Sequence, residues 1–238
     1  MSQSTTIIAA LKFQGGVVIG ADSQVSDLIA RVRWPLEKLD RLPAGQPCVM
    51  GFSGSLGRAQ QARAALDARP LHANQFRKRE LVRAALERCL SPVYEAIENA
   101  SHPPREDVPR IALWALAAMW AEDAPQILEF EINGDNSFHD SFHAIGSASA
   151  TAYAIYRTLG GTRMSELEEA KALMALIRII RTCVNVEMWG ISEPVAFWLV
   201  GPNGARTLSE DELQPHLQAV DEWEKREREA LLGTGETD

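Results

Sequence analysis

The chain has 238 residues, of which 46% are apolar and 24% charged, an ordinary globular composition with enough apolar material for one sizeable core. Its formal net charge of −8 excludes a general nucleic-acid binder, because phosphate binding draws on a basic surface and on counterion release. The longest apolar stretch, around Ile111 to Trp120, is too short to span a bilayer, and no basic segment followed by an apolar run opens the chain, so a cytoplasmic protein without membrane contact is expected.

Thr6 to Phe13 is apolar and β-branched near its start, Gly15-Gly16 breaks the run, and Val17 to Ala21 resumes it, which predicts a hairpin. A third extended segment follows Lys38. Cys48 to Phe52 reads as a short buried strand running into the small-residue turn Ser53-Gly54-Ser55, and a helix starts near Leu56. Arg77-Lys78-Arg79 is a solvated helix start, and the next helix covers roughly Lys78 to Asn99. There Leu81, Ala85, Cys89, Val93 and Ile97 recur at spacing four, and Pro92 marks a place for a kink.

Ile111 to Trp120 and Gln126 to Ile132 read as paired strands joined by a short acidic turn, and His143 to Gly146 as a further strand leading into a helix. Ser165 with Glu168 three positions on spells a capping box for a helix whose apolar face is Ala170, Leu173, Met174, Ile177 and Ile180. Pro194 to Val200 is a buried strand, Asn203-Gly204 a tight turn, and Arg206 to Leu208 the return before a charged terminal helix. Strands, two helices, strands, two helices and strands again do not alternate as a parallel α/β fold would. They predict an α+β, four-layer αββα sandwich of two mainly antiparallel sheets flanked by helices.

The domain expectation is a leader over residues 1–5, one domain over 6–212, and a charged helix and tail over 213–238. Cys48, Cys89 and Cys183 are far apart and read as buried thiols rather than a disulfide framework. His139 and His143 have the spacing of metal ligands on a helix. Their segment, with Phe138 and Phe142, reads as extended and offers no evident third ligand, so they are expected to be ordinary polar positions and no metal or cofactor is implied. In Gly51-Phe52-Ser53-Gly54-Ser55 a serine stands where a hydrolase nucleophile elbow needs its final glycine. Gly15-Gly16 and Gly54-Ser55-Leu56-Gly57 do not have phosphate-loop spacing, and no nucleotide site is implied.

Thr5-Thr6-Ile7-Ile8, followed by Gly16-Val17-Val18-Ile19-Gly20-Ala21-Asp22-Ser23, strongly resembles the start of proteasome β-subunits and bacterial HslV-type proteases, which are N-terminal-nucleophile hydrolases. Asp22 lies 16 residues and Lys38 32 residues beyond Thr6, the spacings that family uses, and counting from Thr5 breaks both. Met50-Gly51-Phe52-Ser53-Gly54-Ser55 and Ala144-Ile145-Gly146-Ser147 extend the resemblance over most of the chain. The helix after Leu213 is not covered by it.

The resemblance implies a threonine peptidase with Thr6 as nucleophile. A threonine hydroxyl needs a base in hydrogen-bond reach, which its own α-amine supplies once nothing precedes it. A lysine beside hydroxyl and amine favours their deprotonated forms, and an aspartate beside that lysine keeps it charged and oriented, which gives Lys38 and Asp22 their roles. Gly54 is the candidate backbone N–H for the oxyanion. Ser147 matches the family's serine near the threonine amine. By the same register Val25, Leu36, Phe52 and Leu56 would line the pocket for the side chain before the scissile bond, with an apolar preference.

Two departures stand out. The aspartate that supports the serine in the family has no counterpart in Thr182-Cys183-Val184-Asn185-Val186-Glu187-Met188, where Asn185 and Glu187 are the candidates. Met1 to Thr5 also precedes the nucleophile without the glycine often found there, so activity hinges on leader removal. The family implies homo-oligomeric stacked rings, peptide or unfolded-protein substrates, and an ATP-dependent unfoldase as partner. A catalytically silent ring or scaffold protein and a non-proteolytic amidohydrolase are the alternatives.

Overall fold

Apolar side chains on both faces of the first two strands dictate that they lie inside the molecule. In the computed structural model, which describes residues 6–27, 32–35, 37–42, 46–100, 112–186 and 195–232, β1 (Ile8–Phe13) and β2 (Gly16–Asp22) pair in the register Ile8↔Ala21 to Phe13↔Gly16. A small hairpin follows, β3 (Gln24–Asp27) with β4 (Val32–Pro35), and then β5 (Leu39–Arg41) and β6 (Cys48–Gly54). Helices α1 (Leu56–Ala68) and α2 (Arg79–Ala100) come next. Strands β7 (Leu113–Ala121), β8 (Ala124–Phe130), β9 (Asn136–His139) and β10 (Phe142–Ile145) precede α3 (Ser149–Thr158) and α4 (Glu169–Val186). The hairpin of β11 (Val195–Gly201) and β12 (Gly204–Thr207) leads into α5 (Glu210–Leu232).

Two five-stranded antiparallel sheets result, ordered β10-β1-β2-β11-β12 and β5-β6-β7-β8-β9. Strand alternation sorts their side chains into three separate cores. Ile8, Ala10 and Ile19 of the first sheet meet Val49, Leu116, Ala118 and Ile127 of the second. Ala9, Leu11, Val18 and Phe197 face the other way onto Leu176, Ile177 and Ile180 of α4. Met50, Phe52 and Ala115 face Leu66, Leu86 and Leu90 of α1 and α2. Three cores between four layers are the expected αββα sandwich, an α+β fold.

Local chemistry explains several boundaries. The acidic turn Glu122-Asp123 takes φ of 58° and 55° at its two residues, the left-handed pair of a two-residue hairpin loop. Pro92 lies inside α2 without ending it. The missing N–H would have bonded the carbonyl of Arg88, and the Arg69 guanidinium donates to that oxygen instead at 3.2 Å. The capping box expected at Ser165 and Glu168 does not form. Ser165 sits in a 3-10 turn over Gly161–Glu166 and its hydroxyl donates to Thr162 O at 2.9 Å, while the carbonyl of Glu168 accepts the first helical bond of α4 from Ala172 N–H at 3.0 Å.

A reciprocal box does form at α5. Ser209 N–H donates to Glu212 Oε2 at 2.9 Å and Glu212 N–H to Ser209 Oγ at 3.3 Å. The charged segment after Leu213 is docked: Leu213 and Val220 enter the core shared with α4, Arg178 of α4 pairs with Glu224 and with Glu227 at 2.7 Å, and Arg181 pairs with Asp221 at 2.7 Å. Cys48, Cys89 and Cys183 are buried as thiols. Among the described residues, no helix is long and apolar enough to cross a membrane.

Candidate active site

The ends of four strands converge where the two sheets stack. At the end of β2, Asp22 lies opposite Ile7, and the two residues exchange bonds: Asp22 N–H donates to Ile7 O at 3.2 Å and Ile7 N–H to Asp22 Oδ1 at 3.0 Å. The carboxylate is therefore fixed beside the backbone that carries Thr6. Lys38 enters from the other sheet, directly before β5, and its Nζ reaches Asp22 Oδ1 at 2.7 Å, Oδ2 at 2.8 Å and Thr6 Oγ1 at 3.2 Å. All three are inside the protein, with exposures of 3% for Thr6, 0% for Asp22 and 5% for Lys38.

Burial pushes the Lys38 ammonium below the ordinary lysine range, and the Asp22 carboxylate beside it works in the opposite direction. The result is a lysine that holds its proton less tightly than a free one, within hydrogen-bond distance of a hydroxyl. Helix α1 fixes the segment around it: Arg63 donates through Nη2 to Glu37 O at 2.7 Å and pairs with Asp40, so one guanidinium grips the chain on both sides of Lys38. Nothing in the local sequence around Arg63 signals this contact, which depends on a helix crossing a strand of the neighbouring layer.

The turn after β10 completes the group. Gly146 adopts φ +103°, and a Cβ there would lie 2.2 Å from the carbonyl oxygen of Thr6, so only glycine lets the two backbones approach this closely. The next residue, Ser147, accepts a hydrogen bond through Oγ from Thr6 N at 3.0 Å, and Ala148 N–H donates to Thr6 O at 3.4 Å. Ser147 is the one exposed side chain of the four. Replacing it by alanine leaves Thr6 N without its acceptor. In a preparation with Thr6 at the N-terminus, peptide-hydrolysis kinetics of Ser147→Ala are expected to show kcat lower by about 10²-fold with KM little changed.

The remaining sequence candidates are placed less closely together. Gly54 ends β6 exposed, with φ +118° and no room for a Cβ, which would lie 2.3 Å from Ala112 O. Leu56 is half-buried at the start of α1. Phe52 points into the core between the second sheet and its helices, 5% exposed among Met50, Leu66 and Leu86, which is the face opposite the sheet-to-sheet layer. Val25 lies on β3 opposite Trp34, and Leu36 lies outside the described residues. Asn185 is exposed in the last turn of α4, and Glu187 lies outside the described residues.

The geometry can do one kind of chemistry with economy. A hydroxyl, a cation at its oxygen, a carboxylate holding the cation and a serine at the nitrogen of the same threonine are the parts of a self-contained nucleophile and proton path.

Comparison with known proteins agrees with the fold. At 10% identity, Anbu from Yersinia bercovieri, described as an ancestral beta-subunit, aligns over 98% of this chain and 99% of its own with a TM-score of 0.75. Anbu from Pseudomonas aeruginosa, solved as a helical assembly of the Anbu complex, aligns at 12% identity over 98% of each chain with a TM-score of 0.75. Anbu from Hyphomicrobium sp. strain MC1 aligns at 13% identity over 98% of this chain and 99% of its own, with a TM-score of 0.71. None of the curated proteins matches the sequence. The model of the proteasome subunit family matches residues 1–191, well over half of the chain, and the protein therefore belongs to the proteasome subunit family.

Proposed function

We propose that the chain is a threonine-type peptidase subunit that becomes active when residues 1–5 are removed and Thr6 carries a free α-amine. The observation that carries this reading is the Lys38 ammonium placed between both oxygens of Asp22 and the hydroxyl of Thr6. In the proposed reaction the Thr6 hydroxyl gives its proton to the α-amine as Oγ1 bonds to the carbonyl carbon of the scissile peptide. The oxyanion so formed is stabilised by a backbone donor, for which Gly54 N–H is the candidate, at a site where one such donor is worth roughly 3–4 kcal/mol. Collapse of the tetrahedral intermediate breaks the C–N bond and passes the proton to the leaving amine. Water, deprotonated by the Thr6 amine, then hydrolyses the ester. Lys38 offsets negative charge at Oγ1 throughout, and Ser147 orients the amine.

Family membership supports assembly into homo-oligomeric stacked rings acting on peptide or unfolded protein, with an ATP-dependent unfoldase as the proposed feeder. Thr6 at 3% exposure favours a second reading, a catalytically silent scaffold, for the chain before it is opened at this point. The deciding experiment compares protein produced with Thr6 as its first residue with the Thr6→Ala form. A fluorogenic panel of acidic, basic and apolar peptides is read alongside sedimentation velocity. Hydrolysis by the threonine form alone, in a ring-sized particle, supports the peptidase; inactivity of a well-assembled threonine form leaves the scaffold. Turnover confined to small non-peptide amides would make the chain an amidohydrolase instead.

A further inference from the structure

The extended reading of His139 and His143 is correct, but the expectation that they lack a third partner is not. Glu129 supplies one. Glu129 on β8 and His139 on β9 are diagonal neighbours on one sheet face, since Ile127 pairs with His139 and Glu129 with Ser137. That face is the one turned to the other sheet, because Ile127 belongs to the core between the sheets. His143 lies opposite Ala10, which belongs to the same core. The three side chains thus meet where the chain leaves the edge strand of one sheet for the edge strand of the other.

One atom from each converges on a small volume, all within 4.8 Å of one another. His139 Nε2 lies 3.1 Å and His143 Nε2 2.8 Å from the same oxygen, Glu129 Oε2, and the two imidazoles stack with centroids 3.5 Å apart. His143 is 8% exposed, and its Nε2 makes no hydrogen bond: the approach to Glu129 is close but not aligned as one. The other ring nitrogen, Nδ1, is 2.6 Å from Tyr153 Oη, a contact that orients the ring as a second ligand shell would. Ser137 Oγ lies 3.3 Å from His139 Nε2 and is the other polar neighbour.

We propose that Glu129, His139 and His143 form a divalent transition-metal site, of Zn²⁺ type, that joins the two sheets at their edges. Two imidazoles and a carboxylate with room for water are a known zinc donor set. In tetrahedral zinc, donors about 2.0–2.1 Å from the metal lie about 3.3 Å apart, so the 2.8 and 3.1 Å contacts to Glu129 open by a few tenths of an ångström, while the two stacked imidazoles, 3.5 Å apart, must swing apart to aim both Nε2 atoms at one ion. The metal holds β10 against the second sheet, and Ser147 stands four residues beyond His143, just past the end of β10, so the site also steadies the turn that meets Thr6. It is a structural tie that takes no part in peptide cleavage.

The test uses the full chain, stripped with EDTA and dialysed, titrated with Zn²⁺ alone by calorimetry and with Co²⁺ by visible absorption. Wild type and Thr6→Ala alike are expected to take one metal per chain, with a tetrahedral Co²⁺ spectrum and a rise in Tm of roughly 3–8 °C on saturation. Glu129→Gln and His139→Gln are each expected to weaken binding by about 10-fold or more. Since the His139 side chain is 23% exposed, His139→Gln provides a folded variant, verified by circular dichroism, even where Glu129→Gln unfolds. No binding by wild type, or folded variants that bind as tightly as wild type, would overturn the site.

Discussion

Lys38→Ala is expected to lower peptide hydrolysis by about 10³-fold or more and to cost about 3–5 kcal/mol of stability, because it removes both the cation at Thr6 Oγ1 and the counter-charge of a buried carboxylate. The stability part follows from Asp22 at 0% exposure, which no water can reach to replace the ammonium. Urea unfolding and fluorogenic-peptide kinetics separate the two effects. The double variant Asp22→Asn with Lys38→Met removes both charges and is expected to recover most of the stability and none of the activity. Lys38→Arg keeps a cation on Asp22, yet the longer, planar guanidinium does not set its charge at Thr6 Oγ1 as the Lys38 Nζ does at 3.2 Å, so stability largely returns and turnover does not. A Lys38→Arg enzyme with near-normal turnover would show that the exact placement of the cation at Thr6 Oγ1 does not limit the reaction.

Gly146→Ala is the second large effect. The added methyl would meet the Thr6 carbonyl oxygen at 2.2 Å and its carbon at 2.8 Å, and both are backbone atoms that no rotamer change can clear. Strain at positive φ and the displaced strand end together are expected to cost about 2–4 kcal/mol. Hydrolysis should fall by about 10²-fold, because a shift of roughly 1 Å at the nucleophile is enough for that. Gly57→Ala is the matched control. Nothing lies within 4 Å of its Cβ position on α1, so it is expected to be neutral or to stabilise by about 0.5–1 kcal/mol. Thermal melts of the two variants beside wild type read the contrast directly.

How much of this was legible in the sequence depends on how far each contact reaches. The β1–β2 hairpin is legible because both strands are buried on nearly all of both faces, which leaves two largely apolar runs separated by the turn Gln14-Gly15. Thr6, Asp22 and Lys38 are legible because antiparallel pairing puts Asp22 beside the start of β1, and the entry to β5 brings Lys38 to both, so fixed spacings carry the geometry. The β3–β4 hairpin escaped: Gln24-Val25-Ser26-Asp27 and Val32-Arg33-Trp34-Pro35 are short and mixed, with no alternation to betray a strand.

Ser165 and Glu168 spell a capping box that tertiary structure overrides, because the chain closes a 3-10 turn before the helix begins. Arg63 reaches Glu37 and Asp40 across a layer boundary, and Glu129 meets His139 and His143 only through strand pairing and sheet stacking. Contacts of that kind leave no local pattern. Phe52 shows the opposite case: the resemblance suggests a pocket position, while strand alternation with Cys48 and Met50 turns its side chain toward the helices.

The account rests on Thr6 being a competent nucleophile in this chain, and intact mass spectrometry of purified wild type beside Thr6→Ala tests that most directly. Wild type is expected to lose Met1 to Thr5 and expose Thr6, while Thr6→Ala keeps them. Retention of all five residues by fully assembled wild type, or their loss from both proteins alike, would contradict self-processing by Thr6.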